Sequence, residues 1–345
     1  MVFRERQWHF VRWRGECFFC SFTVFGRSKK IIRTVFFVLA AAGIFLALDF
    51  ILYPCTYVRN DIHAVLSEEH EDVFLGTSHG KMGIDPDVVS LETGRSAHNL
   101  CVGGEYMADT YYLAKLLMEK NPPSRIIYEL NPSYFMEEKE EGNNFLLFYH
   151  EFPFSLTKLQ YLLDVVSACD FRSLLFPWYE YSLSYELGKM KDTVYQKWNQ
   201  NYDVSYLAGS AQEYHENGYI ERYPVSREEK QPTTARMFDS DRCIPENMEY
   251  LDKLIALCRE KNVELLVITT PIPLATLKEY ESSFVQAWEY FGEYFSEKGI
   301  PYYNFNQEYY RAFTHDISAF TDYDGHMHGA AAGDFSTVLG KLLAS

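Results

Sequence analysis

The chain has 345 residues, 47% of them apolar, and a net charge of −16, which is ample apolar content for the core of one large domain or two small ones. An acidic balance of this size excludes a partner held through nucleic-acid phosphates, because it repels them instead of releasing their counterions. Seven cysteines are too few for a disulfide scaffold at this length.

Residues 1–33 carry Arg4, Arg6, Arg12, Arg14, Arg27, Lys29, Lys30 and Arg33 against Glu5 and Glu16, a net +6 that leaves −22 for the remainder. An apolar run from Thr34 to Tyr53 follows, interrupted only by Asp49; about 20 such residues match a bilayer crossing. The basic flank predicts a cytoplasmic segment at 1–33, a transmembrane helix at 34–54 and an extracytoplasmic domain at 55–345, hence a single-pass membrane protein. A cleaved signal peptide competes with the anchor, but the basic region is long and no small-x-small site follows the apolar run. Cys17-Phe18-Phe19-Cys20 has redox or zinc spacing without a second ligand pair, so it reads as part of an apolar segment. Cys55, Cys101, Cys169, Cys243 and Cys258 face an oxidising side in this topology, and their odd number leaves at least one unpaired within the chain.

Beyond the anchor, 56–69 predicts a connecting helix. Short apolar runs ended by Gly, Pro or Asn predict strands at 72–76, 96–101, 125–130, 264–269 and 301–305. Helical periodicity places Thr110, Leu113, Leu116 and Leu117 on one face of 106–120, and Met248, Leu251, Leu254, Ile255 and Cys258 on one face of 246–261. A helix at 329–343 closes the chain. Strands separated by amphipathic helices require crossovers, so the fold class is α/β with a mostly parallel sheet covered on both faces. The interval 133–245 breaks this rhythm. It lacks strand signals, is crowded with aromatic residues, and predicts a helical insertion or cap over the carboxyl ends of the strands, where open α/β sheets bind ligands.

The residues that could carry chemistry sit at the ends of these elements. Ser78, in Gly76-Thr77-Ser78-His79-Gly80, follows the first strand directly. Gly103-Gly104 follows the second, where a backbone without side chains can aim an amide at a developing oxyanion. Asn131 follows the third in Glu129-Leu130-Asn131-Pro132. Asp322-Tyr323-Asp324-Gly325-His326 precedes the last helix, so a carboxylate and an imidazole could reach a serine that needs both to become nucleophilic. His79 reads as a solvated turn residue.

This constellation resembles the SGNH/GDSL hydrolase superfamily over roughly 70–345 apart from the insertion. The resemblance implies a flavodoxin-like three-layer α/β/α fold of about five mostly parallel strands. It implies Ser78 as nucleophile, His326 as general base and then acid, and an oxyanion hole from the Ser78 and Gly103 or Gly104 amides with Asn131. Thr77 stands where the best-known form has Asp. The acid that orients His326 is either Asp322, four residues before it, or Asp324, two before, with Asp322 slightly preferred. No cofactor is implied.

With the anchor, the chain looks like the extracytoplasmic SGNH-like proteins that work beside membrane-bound O-acyltransferases on teichoic acids, peptidoglycan or exopolysaccharide. The expected activity is formation or resolution of O-acyl esters, acetyl foremost, on a cell-surface glycan through an acyl-serine. Aromatic residues of the insertion, Trp178 and Trp198 among them, would suit stacking on sugar faces. The alternatives are an anchored carbohydrate or lipid esterase, an inactive glycan-binding or assembly subunit, and a metal site in which Asp322, Asp324, His326 and His328 share one side of an extended backbone.

Overall fold

The computed structural model describes residues 8–104, 106–139, 146–167, 170–179, 187–231, 233 and 237–345, with side chains from residue 29 onward except at 147 and 206. The chain divides into two compact units, Met1–Pro54 with Phe176–Tyr195, and Cys55–Leu175 with Gln196–Ser345. In the first, one helix runs over Trp8–Leu52, and its 24-residue part Lys29–Leu52 is long and apolar enough to cross a membrane. At about 1.5 Å per residue that part measures roughly 36 Å, against about 30 Å of bilayer hydrocarbon. The side chains of Cys17 and Cys20, and all of Cys169, lie outside the described residues. No disulfide joins Cys55, Cys243 or Cys258.

The second unit contains β1 (Asp72–Gly76), β2 (Ala97–Asn99), β3 (Arg125–Glu129), β4 (Gln212–Tyr214), β5 (Ile220–Arg222), β6 (Glu264–Thr269) and β7 (Tyr302–Asn304). Five of them form a parallel sheet in the order β2-β1-β3-β6-β7, where the apolar runs predict strands. Helices Pro86–Thr93, Met107–Lys120, Pro245–Lys261 and Glu281–Lys298 supply the crossovers that parallel neighbours require. The chain leaves β1 for β2 on one side and returns to β3 on the other, and such a reversal opens a crevice at the carboxyl ends of the strands.

Strand side chains alternate between two cores. Val73 and Leu75 of β1, Ile126 and Tyr128 of β3, and Leu265 and Val267 of β6 join helices Tyr57–Ser67, Met107–Lys120, Pro245–Lys261 and Glu281–Lys298. Phe74, Ile127, Leu266 and Ile268 face the opposite side and meet Pro86–Thr93 and the last helix, Gly329–Ala344. This period of two, with both faces apolar, is why the strands read as continuous hydrophobic runs. Phe305 and Phe335 are fully buried in the second core with rings 4.9 Å apart; each such side chain contributes roughly 1.5–3 kcal/mol by leaving water.

The insertion differs from the expected all-helical cap. It holds short helices and one longer helix, Leu187–Asn199, but also the antiparallel hairpin β4–β5. The hairpin escaped prediction because its three-residue strands, Gln212-Glu213-Tyr214 and Ile220-Glu221-Arg222, carry too few apolar positions to show an alternating pattern.

Candidate active site

Strand β1 ends at Gly76, a position where nothing larger fits. Its φ of +141° lies in the range that favours glycine, and an added Cβ would stand 2.5 Å from the Glu129 carbonyl oxygen. Thr77 caps the next helix, Ser78–Gly83, with its hydroxyl accepting from the His79 amide at 3.3 Å. Ser78 therefore occupies the first helical position, where its amide has no partner within the helix.

Buried polar groups hold this turn in place. Glu129 Oε2 accepts from both the Thr77 amide and the Thr77 hydroxyl at 2.8 Å. Burial pushes the Glu129 carboxyl up from its ordinary value, and these two bonds oppose the shift. Asn99 Nδ2 donates to the carbonyls of Gly80 and Ile84 at 2.9 and 2.8 Å. Lys81 Nζ donates to Asp61 Oδ2 at 2.6 Å, with both side chains essentially removed from solvent, and Asp61 Oδ1 accepts from the Tyr214 hydroxyl at 2.6 Å.

The partner of Ser78 arrives from 248 residues away. Phe320 and Met327 form an antiparallel bridge, and Thr321 donates its amide to the His326 carbonyl at 2.7 Å, closing a tight loop. Asp322 folds back into that loop, its Oδ1 accepting from the amides of Asp324, Gly325 and His326 at 3.1 Å each. Gly325, at φ +115°, allows the reversal. The geometry leaves Asp322 Oδ2 2.7 Å from His326 Nδ1, and His326 Nε2 2.8 Å from Ser78 Oγ. Arg222 Nη1 of β5 also reaches Asp322 Oδ2 at 3.3 Å. Burial raises the Asp322 carboxyl, but the hydrogen bonds and charge of His326 outweigh it and hold the group well below the usual carboxylate range.

Of the two candidate acids, the structure assigns the contact to Asp322. Asp324 Oδ1 instead accepts from Thr233 at 2.8 Å. His328 caps helix Gly329–Ala344 through the Ala331 amide, so the four alternating residues do not converge as a metal site would require. Among the described residues, no group of three or more His, Cys, Asp or Glu side chains could hold a metal ion. His79 is not the solvated residue expected from its turn: it lines the cavity beside Ser78 and meets His326 edge-on, with ring centroids 4.9 Å apart. Burial and the neighbouring His326 lower its pKa to about 4.

A cavity of about 310 Å³ opens beside Ser78 and His326, within the range of small-molecule sites. Gly104, at φ +76°, and Asn131 both line it. Gly103 lies directly against the serine, where an added Cβ would stand 3.4 Å from Ser78 Cβ. Asn131 Oδ1 is taken by the Ser133 amide and hydroxyl at 3.2 and 2.8 Å, leaving Nδ2 as the donor end of the side chain. Gly104 and Asn131 thus share the cavity with the serine, and Gly103 packs against it. Trp198 is not among the residues lining the cavity and is 78% exposed.

The sequence concealed the supporting residues Asp61, Lys81, Asn99, Glu129, Tyr214 and Arg222. The available signals were a carboxylate ending the apolar run Ile126-Ile127-Tyr128-Glu129, and a lysine three residues after the serine that follows the first strand. Neither names its partner. No family model matches the chain, and no curated protein matches it.

Proposed function

We propose that the chain is a membrane-tethered serine acyltransferase of SGNH type, with its active domain outside the cytoplasm and a cell-surface glycan hydroxyl as acceptor. The observation that carries this reading is the unbroken relay from Ser78 Oγ through His326 to Asp322, at 2.8 and 2.7 Å, on the wall of a cavity. The apolar helix Lys29–Leu52 supports the tether, and the basic residues before it support the orientation.

In the proposed reaction His326 Nε2 takes the Ser78 proton as Oγ attacks the acyl carbonyl, while Asp322 stabilises the imidazolium and fixes its tautomer. The oxyanion gains hydrogen bonds from the Ser78 amide, a Gly103 or Gly104 amide and Asn131 Nδ2. Collapse expels the donor oxygen, which leaves with the proton from His326, and gives the acyl-serine. A sugar hydroxyl then yields its proton to His326 and attacks the same carbonyl, forming the glycan ester and restoring the serine. A membrane-bound O-acyltransferase would be the source of the acyl group. Hydrolysis shares every step except the acceptor, which is then water.

Full-length protein treated with a fluorophosphonate probe should be labelled at Ser78, and an activated acyl donor should leave an acyl ester on the same residue. Surface oligosaccharide should then divert the acyl group from free acid into a Ser78-dependent glycan ester. Acid release unaffected by any such glycan would move the assignment to an anchored esterase, and a serine that neither probe modifies would end the acyl-serine reading.

A further inference from the structure

We infer that the cavity beside Ser78 is a binding site for an apolar acyl chain of several carbons, with Phe284 as its end wall. The inference rests on the acyl-serine reading and adds to it the class of acyl group. The first observation is size. A volume of about 310 Å³ equals roughly ten waters at ~30 Å³ each, and the methyl of an acetyl group would fill about one such volume.

The second observation is what the wall offers. Away from Asn131 Nδ2 and Glu129 Oε1, which stay beside the serine, its amide side chains and the Ser283 hydroxyl already spend their hydrogen-bonding atoms on the protein. Asn304 Nδ2 donates to the Tyr302 hydroxyl and its Oδ1 accepts from the Asn306 amide, both at 2.9 Å. Asn306 in turn accepts from the Ile272 amide at 2.9 Å and donates to the Thr270 carbonyl at 2.8 Å. The Ser283 hydroxyl donates to the Phe238 carbonyl at 2.8 Å. Glu129 Oε2 and Asp324 Oδ1 accept from Thr77 and Thr233, while Glu129 Oε1 is buried without a hydrogen-bond partner among the described residues. A sugar placed beyond Glu129 and Asn131 would regain few of the hydrogen bonds its hydroxyls lose to water, whereas a hydrocarbon chain loses none. Leu130, Ile272, Phe238, Phe284 and Ala287 provide the apolar surface it would bury.

The third observation places the end of the chain. Phe284 and Asn306 line both this cavity and a neighbouring groove that includes Leu274, Leu277 and Val285. Phe284 is thus the apolar one of the two side chains shared by these spaces. Removing it joins them, and enlarging it shortens the first.

The test uses full-length protein in detergent micelles and p-nitrophenyl esters from acetyl to dodecanoyl, with wild type and variants compared in the same micelles. In the wild type kcat/KM should rise by up to about fourfold per added methylene to an optimum between roughly butanoyl and octanoyl. Phe284→Ala should move the optimum to longer chains, raising the decanoyl-to-butanoyl ratio at least about fivefold, again on the scale of one or two methylenes. Phe284→Trp and Ala287→Leu should move it to shorter ones, so the ruler is tested even if one variant fails to fold. An acetyl optimum with loss at every added methylene, or a profile unchanged in all three variants, would overturn the inference while labelling of Ser78 kept the acyl-serine reading. No turnover of any ester together with no labelling of Ser78 would remove both.

Discussion

His326 has one carboxylate within hydrogen-bond reach of its Nδ1, and a single substitution separates it from its neighbour. Asp322→Asn should lower acyl-serine formation by about 10³–10⁴, the scale expected when an orienting carboxylate is lost and the imidazole tautomer is no longer held. Asp324→Asn, which disturbs the bond from Thr233, should stay within about tenfold, roughly 1.4 kcal/mol of barrier. Time courses of fluorophosphonate labelling measure both, and equal losses would contradict the assignment. His79 gives a pH test of the same site. Its folded pKa is lowered to about 4 by burial, whereas the unfolded chain takes up the proton near 6.5. Between these values the unfolded state binds more protons, so stability falls as pH drops through that window. The decline in Tm between pH 7 and pH 4.5 should be shallower in His79→Gln than in wild type, and identical slopes would remove His79 as a contributor.

The short helix Ser78–Gly83 is held by elements far apart in the chain. Lys81 ties it to Asp61 of helix Tyr57–Ser67, and Tyr214 of β4 completes that pair, while Arg222 of β5 touches Asp322. The hairpin of the insertion therefore braces both ends of the relay. Lys81→Met leaves Asp61 buried with the Tyr214 hydroxyl and His98, 3.6 Å away, in place of its cation, and breaking such a pair costs about 3–5 kcal/mol. Urea unfolding should show a loss of that size in Lys81→Met, and the double change Lys81→Met with Asp61→Leu should recover part of it, because removing both charges spares the desolvation penalty. A double variant no more stable than the single one would show that the pair contributes more than charge compensation. The last helix is braced similarly: Arg125, paired with Asp72 at 2.6 Å, donates to the Leu343 carbonyl at 3.0 Å, which fixes the element that follows the His326 loop.

For the molecule as a whole, the proposed function depends on which side of a membrane the apolar helix would place Ser78. The eight cations before the apolar helix against two anions predict that the amino terminus stays in the cytoplasm. Reporter fusions after residue 60 should therefore be active only for a reporter that works outside the cytoplasm. Activity confined to a cytoplasmic reporter would exclude a surface glycan as acceptor, whatever the relay does chemically. The net charge of about −22 left to the remainder keeps that domain soluble and repels anionic surfaces at ranges up to a Debye length, about 8 Å at physiological salt.

The sequence by itself determined the parallel sheet and the two ends of the relay. Apolar runs of strand length alternating with amphipathic helices are local patterns, and they fixed all five parallel strands to within two residues at each end. Ser78 and His326 were legible because each sits where such a pattern stops. Only the tertiary structure decided between Asp322 and Asp324, since the choice depends on a loop closed by Gly325 and by three backbone amides that no spacing rule specifies. It alone revealed Lys81, Asp61, Asn99 and Glu129 as the frame under the serine, and it left Trp198 out of the cavity lining. Composition reports how many aromatic and charged residues a segment has. Their partners are chosen by burial, because a charge removed from water must find its counterpart wherever the fold brings one within reach.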